Sequence, residues 1–200
     1  MKSFVNFLSA FRIFAAFAII PTFMFQMFWL TFILYVLGSV SDWFDGYLAR
    51  RYNVCSKIGG VMDHIGDKLL VSNTLIMLAT KRPEWFIVLP IILMIARELY
   101  ISGLREFMGT QKMEMPVPKA RFSMGKVKTT FQMIAIGAFL LIFAIGSTIT
   151  TETTGRITLV LAHILPKIGM WGLWISLVAS LWSATQYTHT FIQKIKQLKK

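Results

Sequence analysis

Asp42-Trp43-Phe44-Asp45-Gly46-Tyr47-Leu48-Ala49-Arg50, then eight residues, then Gly59-Gly60-Val61-Met62-Asp63-His64-Ile65-Gly66-Asp67: this stretch holds four of the nine acidic residues of the chain within twenty-six positions. At roughly 100° per helical residue, Asp42, Asp45, Gly46 and Ala49 fall within about a third of one helix's circumference. The same spacing puts Gly59, Asp63 and Asp67 on one face of the next helix, which follows a short connection and so runs antiparallel beside the first. Apolar runs surround both, and carboxylates in or near hydrocarbon are costly unless neutralised, so such acids are functional by default. Four together call for cations. Oxygen donors without a multi-Cys or multi-His partner favour a hard divalent ion, Mg²⁺ or Mn²⁺, over zinc or copper. Two ions would cancel the local charge. Gly46, Ala49 and Gly59 lack bulk, which lets helices or a phosphate chain approach closely. A plainer account makes the small residues packing sites and pairs a single aspartate with Arg50. It explains one position at a time but not the whole spaced set.

Working outward, the 200-residue chain is 56% hydrophobic and 15% charged, with a mean hydropathy of +0.62, whereas soluble domains carry about 25% charged residues. The expected class is all-α and integral to the membrane. Spanning about 30 Å of hydrocarbon takes about 20 helical residues, and six stretches qualify: Val5 to Phe25, Phe28 to Ala49, Ile58 to Thr80, Trp85 to Met108, Val127 to Ser147 and Gly169 to Ile192. They predict a six-transmembrane-helix bundle forming a single domain over residues 1–200. Lys81, Arg82 and Pro83 predict a tight turn, and Thr148 to Lys167 a polar connection that includes His163 and Pro166. Lys2 ahead of an apolar run resembles a signal peptide, but Arg12 interrupts that run and a bulky segment from Pro21 to Trp29 follows it. This predicts a retained first helix.

There are 21 Lys and Arg against 9 Asp and Glu. The cations punctuate apolar runs and gather on no polar face, which argues against nucleic acid and for anionic lipid headgroups. Six spans put both termini on one side, with Lys2, Arg12, Arg50, Arg51, Lys57, the basic residues from Gly109 to Lys128 and the C-terminal lysines. Only Lys81, Arg82, Arg156 and Lys167 lie opposite. By the positive-inside rule the first side is cytoplasmic, so the aspartates face the cytoplasm from the cell inner membrane. The single cysteine, Cys55, rules out an internal disulfide. A divalent-cation transporter could also use intramembrane acids, but it would be expected to show internal repeats and acids at mid-membrane. The sequence has neither.

The pattern from Asp42 to Asp67, including the eight-residue gap between Arg50 and Gly59, resembles the signature of the CDP-alcohol phosphatidyltransferases. That resemblance implies the CDP-alcohol phosphotransferase fold, six transmembrane helices in a homodimer with the site at the cytoplasmic surface. It further implies that Asp42, Asp45 and Asp63 ligate the metals, that Asp67 shares in the metal site and serves as general base, and that Gly46, Ala49, Arg50 and Gly59 contact the CDP group. The family's N-terminal Pro-Asn-x-x-Thr-x-x-Arg stands here as Val5-Asn6-x-x-Ser9-x-x-Arg12, which adds Asn6 and Ser9 to the CDP contacts.

The acceptor is read from the second half. Arg105 near the end of the fourth span and Lys126 and Lys128 at the start of the fifth could converge on a phosphate, since Lys and Arg are the usual phosphate binders. Alternatively, the lysines only mark a helix end. The segments Arg97 to Glu106 and Gly125 to Thr129 are similar to those of the family's bacterial phosphatidylglycerophosphate synthase branch, which transfers the phosphatidyl group of CDP-diacylglycerol to sn-glycerol 3-phosphate. Phosphatidylinositol phosphate, phosphatidylserine and cardiolipin synthases share the aspartate pattern. In the synthase branch Pro and Ala usually stand where this chain has His64 and Gly66. His64 adjoins Asp63 but is expected to point away from the ligand face.

Overall fold

In hydrocarbon every backbone N–H and C=O must be satisfied within the chain, and the apolar runs do this as helices. The computed structural model describes residues 2–52, 57–110, 124–148 and 155–198, excluding the side chains at 2–6, 43, 45–52, 57, 58, 124, 126, 197 and 198. Among the described residues there are six α-helices and no strand: α1 Lys2–Met24, α2 Phe28–Tyr52, α3 Lys57–Lys81, α4 Trp85–Thr110, α5 Met124–Gly146 and α6 Arg156–Leu198. Among the described residues, four of them contain segments long and apolar enough to cross a membrane: Phe7–Met24, Trp85–Thr110, Val127–Gly146 and Arg156–Lys196. Among the described residues α2 contributes a shorter apolar segment, Phe28–Asp42. This is a multi-pass membrane protein whose two most polar helices, α2 and α3, carry the aspartate motif.

The sixth element differs from its expected bounds. The connection predicted from Thr148 to Lys167 is helical from Arg156 onward, and the amides of Thr158 and Leu159 bond to the carbonyl of Gly155 at 3.0 and 3.3 Å. Pro166 was expected to mark a loop but lies inside α6. A proline removes one backbone donor and crowds one carbonyl, and the apolar residues from Ile157 to Leu165 carry the helix through it. His163 is therefore a helical residue, with its Nε2 2.7 Å from Lys167 Nζ.

The chain divides into two units, Met1–Arg82 with Met133–Gly169, and Pro83–Gln132 with Met170–Lys200. In the first, α1 packs against both α2 and α3. Ala15 and Ala16 are fully buried, and their small side chains let α3 come close enough for Asn73 Nδ2 to bond to the Ala16 carbonyl at 2.8 Å. Small residues serve this purpose in membrane helix pairs, where dispersion and hydrogen bonds replace the hydrophobic drive. Phe23, Phe28 and Phe143 cluster with ring centroids 5.4 to 6.0 Å apart. In the second unit, Ile87, Ile91, Met94 and Ile101 of α4 and Leu173 and Leu177 of α6 are buried. Trp174 Nε1 bonds to the Phe86 carbonyl at 3.0 Å.

Two short turns close helix ends. Gln26 ends α1 with φ of 59°, while the amide of Met27 bonds to the Thr22 carbonyl and that of Gln26 to Phe23. This is the Schellman pattern, with glutamine at the left-handed position that glycine usually takes. The expected turn after Lys81 is present, and the Glu84 carbonyl starts α4 by accepting from Ile87 and Val88.

Candidate functional site

Ser9 and Arg12 lie one turn apart on α1, and both are buried, Arg12 completely. A buried guanidinium needs anions around it, and α2 and α3 each supply one. Arg12 Nη1 is 3.0 Å from Asp42 Oδ1 and 2.5 Å from Asp63 Oδ1, and it reaches the Asp63 carbonyl at 3.5 Å. The two carboxylates are partly open, 37% and 46% exposed. One cationic nitrogen thus holds two acids from two helices, and the site has an accessible acidic side and a buried basic floor. Gly66 makes room for that floor: a Cβ there would meet Ile13 Cγ1 at 3.3 Å and Arg12 Cδ at 3.4 Å.

The structure therefore brings together Asp42 and Asp63 of the expected set. Asp67 lies one turn further along α3 and is half-buried, while Gly59 is buried and His64 exposed. The side chain of Asp45 lies outside the described residues, as do those of Asn6, Ala49, Arg50 and Lys126; Gly46 is on α2 within the same undescribed stretch. Among the described residues, no three His, Cys, Asp or Glu side chains stand close enough to hold a metal. The donor chemistry nevertheless suits a hard cation, since carboxylate oxygens from two helices converge on one positive charge and both acids keep exposed surface. Sequence reasoning offered Arg50 as the partner of an aspartate and gave Arg12 no role in the site. The available signals were its place at the end of the pattern Asn6-x-x-Ser9-x-x-Arg12 and its position between the apolar Phe11 and Ile13.

Arg105 and Lys128 belong to the second unit. Lys128 is buried and pairs with Glu98 Oε2, the same oxygen that Arg97 Nη1 meets at 3.1 Å. Arg97 is held further by the Ser180 carbonyl at 3.1 Å and Ser183 Oγ at 3.0 Å. This network of Arg97, Glu98 and Lys128 was not foreseen as a unit, although both halves lie in segments singled out for the acceptor. Arg105 is exposed, with Nη2 3.1 Å from the Tyr187 hydroxyl and the guanidinium 5.2 Å from that ring's centroid. It remains available to an anion while braced on an aromatic face.

Residues 3–182 match the sequence profile of the family described as CDP-alcohol phosphatidyltransferase. Among curated proteins, the chain is similar to one from Rickettsia felis, 39% identical over 136 residues, covering 68% of this chain and 72% of that protein. It is similar to one from Sodalis glossinidius, 35% identical over 159 residues, covering 78% and 75%. A third, from Pectobacterium atrosepticum, is 37% identical over 155 residues, covering 78% and 74%. Each of the three is named CDP-diacylglycerol--glycerol-3-phosphate 3-phosphatidyltransferase.

Proposed function

Since the chain belongs to the CDP-alcohol phosphatidyltransferase family, a family of transferases that use divalent metal ions, we propose that it transfers the phosphatidyl group of CDP-diacylglycerol to sn-glycerol 3-phosphate. The products are phosphatidylglycerophosphate and CMP. The names of three relatives at 35 to 39% identity support this choice of substrates. The observation that carries the reading is the convergence of Asp42 and Asp63 on one buried cation, at two positions of the family's aspartate pattern.

In this reading Asp42, Asp45, Asp63 and Asp67 hold two ions, Mg²⁺ or Mn²⁺. When bound, these would offset charge on the pyrophosphate oxygens and on the departing CMP. Asn6, Ser9, Gly46, Ala49, Arg50 and Gly59 seat the CDP group. Asp67 accepts the proton of the incoming hydroxyl as that oxygen bonds to the lipid-bearing phosphorus and the bond to CMP breaks. Arg105, Lys126 and Lys128 bind the acceptor's phosphate, with Lys128 exchanging or sharing its contact with Glu98. All 200 residues serve one catalytic domain, which works as a homodimer in the inner membrane with the aspartates facing the cytoplasm.

Purified protein given CDP-diacylglycerol, Mg²⁺ or Mn²⁺ and a panel of acceptors is expected to release CMP with sn-glycerol 3-phosphate. Release only with serine or free inositol would overturn the choice of acceptor. Asp67→Asn is expected to lose at least about a hundredfold in turnover, the scale of a lost general base, while keeping part of its metal binding. Wild-type turnover in that variant would remove the base assignment.

A further inference from the structure

We propose that Arg12 is a built-in counter-cation of the aspartate site, holding Asp42 and Asp63 in register and competing with a divalent ion for their charge. The inference rests on the metal part of the reading above. Three observations lead to it. Arg12 is completely buried and comes from a third helix, outside the motif. The same nitrogen meets Oδ1 of both acids, so it neutralises mutual repulsion that would otherwise push α2 and α3 apart. The surface of Gly66 is shaped to the Arg12 stem, with no room for a larger side chain without movement.

An arginine suits this position. Its charge is permanent and its planar group presents fixed donors, whereas a buried lysine readily loses its proton. An entering divalent ion draws on the same carboxylates at which the guanidinium points. The two cations repel across a half-buried site, so Arg12 keeps the acids assembled and at the same time weakens the hold on the metal. It acts through Asp42 and Asp63 and is a positioning residue.

The test uses the full chain in detergent, without lipid substrate, and Mn²⁺ as the probe. Free Mn²⁺ is read by electron paramagnetic resonance and unfolding by a thermal melt, with EDTA or with saturating Mn²⁺. Arg12→Gln is expected to melt below wild type in EDTA, to recover most of the difference in Mn²⁺, and to bind Mn²⁺ at least about tenfold more tightly, a floor below the bulk-water limit for removing one positive charge a few ångströms from a divalent ion. Arg12→Lys, which keeps a charge but reaches less well, is expected to fall between the two on both measures. A melting loss that Mn²⁺ does not repair, with Mn²⁺ affinity unchanged or weaker, makes Arg12 a purely structural residue and overturns the proposal. Failure to recover folded Arg12→Gln even in Mn²⁺ also counts against it, as does Arg12→Lys indistinguishable from wild type. Wild-type protein that binds no Mn²⁺ would instead overturn the metal reading itself, so the two failures are distinct.

Discussion

Glu98 shows how much a single carboxylate oxygen can hold. Its Oε2 serves both Arg97 and Lys128, and both cations are at least nine-tenths buried. Removing one member of a buried ion pair is costly because the remaining charge has lost its compensation. Glu98 itself is 28% exposed, so part of that cost is screened. Glu98→Gln is therefore expected to lower stability by about 1–3 kcal/mol. Combining it with Lys128→Met is expected to recover part of that loss, because one uncompensated cation disappears. Thermal or denaturant unfolding of the two variants in detergent checks the order; a Glu98→Gln protein as stable as wild type would contradict it. The meeting of Asp42 and Asp63 was legible at this scale because a helix repeat of 3.6 residues fixes which positions share a face. Their partner was not: Arg12 is 30 and 51 residues away from Asp42 and Asp63, and periodicity says nothing about which helices meet.

At the scale of elements, glycines mark the tightest helix contacts. A Cβ at Gly169 would lie 2.5 to 2.8 Å from three ring carbons of Phe139, closer than side chains tolerate. Gly169→Leu is expected to cost about 1–3 kcal/mol, the usual range for overpacking. Replacing Phe139 with Ala in the same protein is expected to relieve most of it, and melting curves of the single and double variants measure the relief. The six helices themselves were readable, since each expected span coincides with an observed helix to within a few residues, except α6, which extends past its expected span at both ends and most at its start. There the threonines and Pro166 were read as breaks, although the apolar residues between Ile157 and Leu165 could keep a helix going. A proline costs one rung of the ladder, and in hydrocarbon a loop costs every unpaired group it contains.

For the whole molecule, charge and a lone thiol make the orientation testable. The sequence carries a formal net charge of +12, biased to the side proposed as cytoplasmic, and its single cysteine, Cys55, falls between α2 and α3 on that side. A membrane-impermeant maleimide is expected to label Cys55 in inverted membrane vesicles and to leave it unmodified in intact cells. Labelling in cells would reverse the orientation. The fold class and membrane setting followed from composition, whereas the way the chain divides into two units did not. One boundary of that division, Arg82/Pro83, is the turn that the sequence marks, whereas the other two fall within helices α5 and α6, where no change in composition marks them. The Arg12 bridge also makes the balancing charge part of the chain itself. Arg12 stands on α1, ahead of both acids in chain order, so the pair on α2 and α3 carries its own counter-charge at a fixed place in the fold.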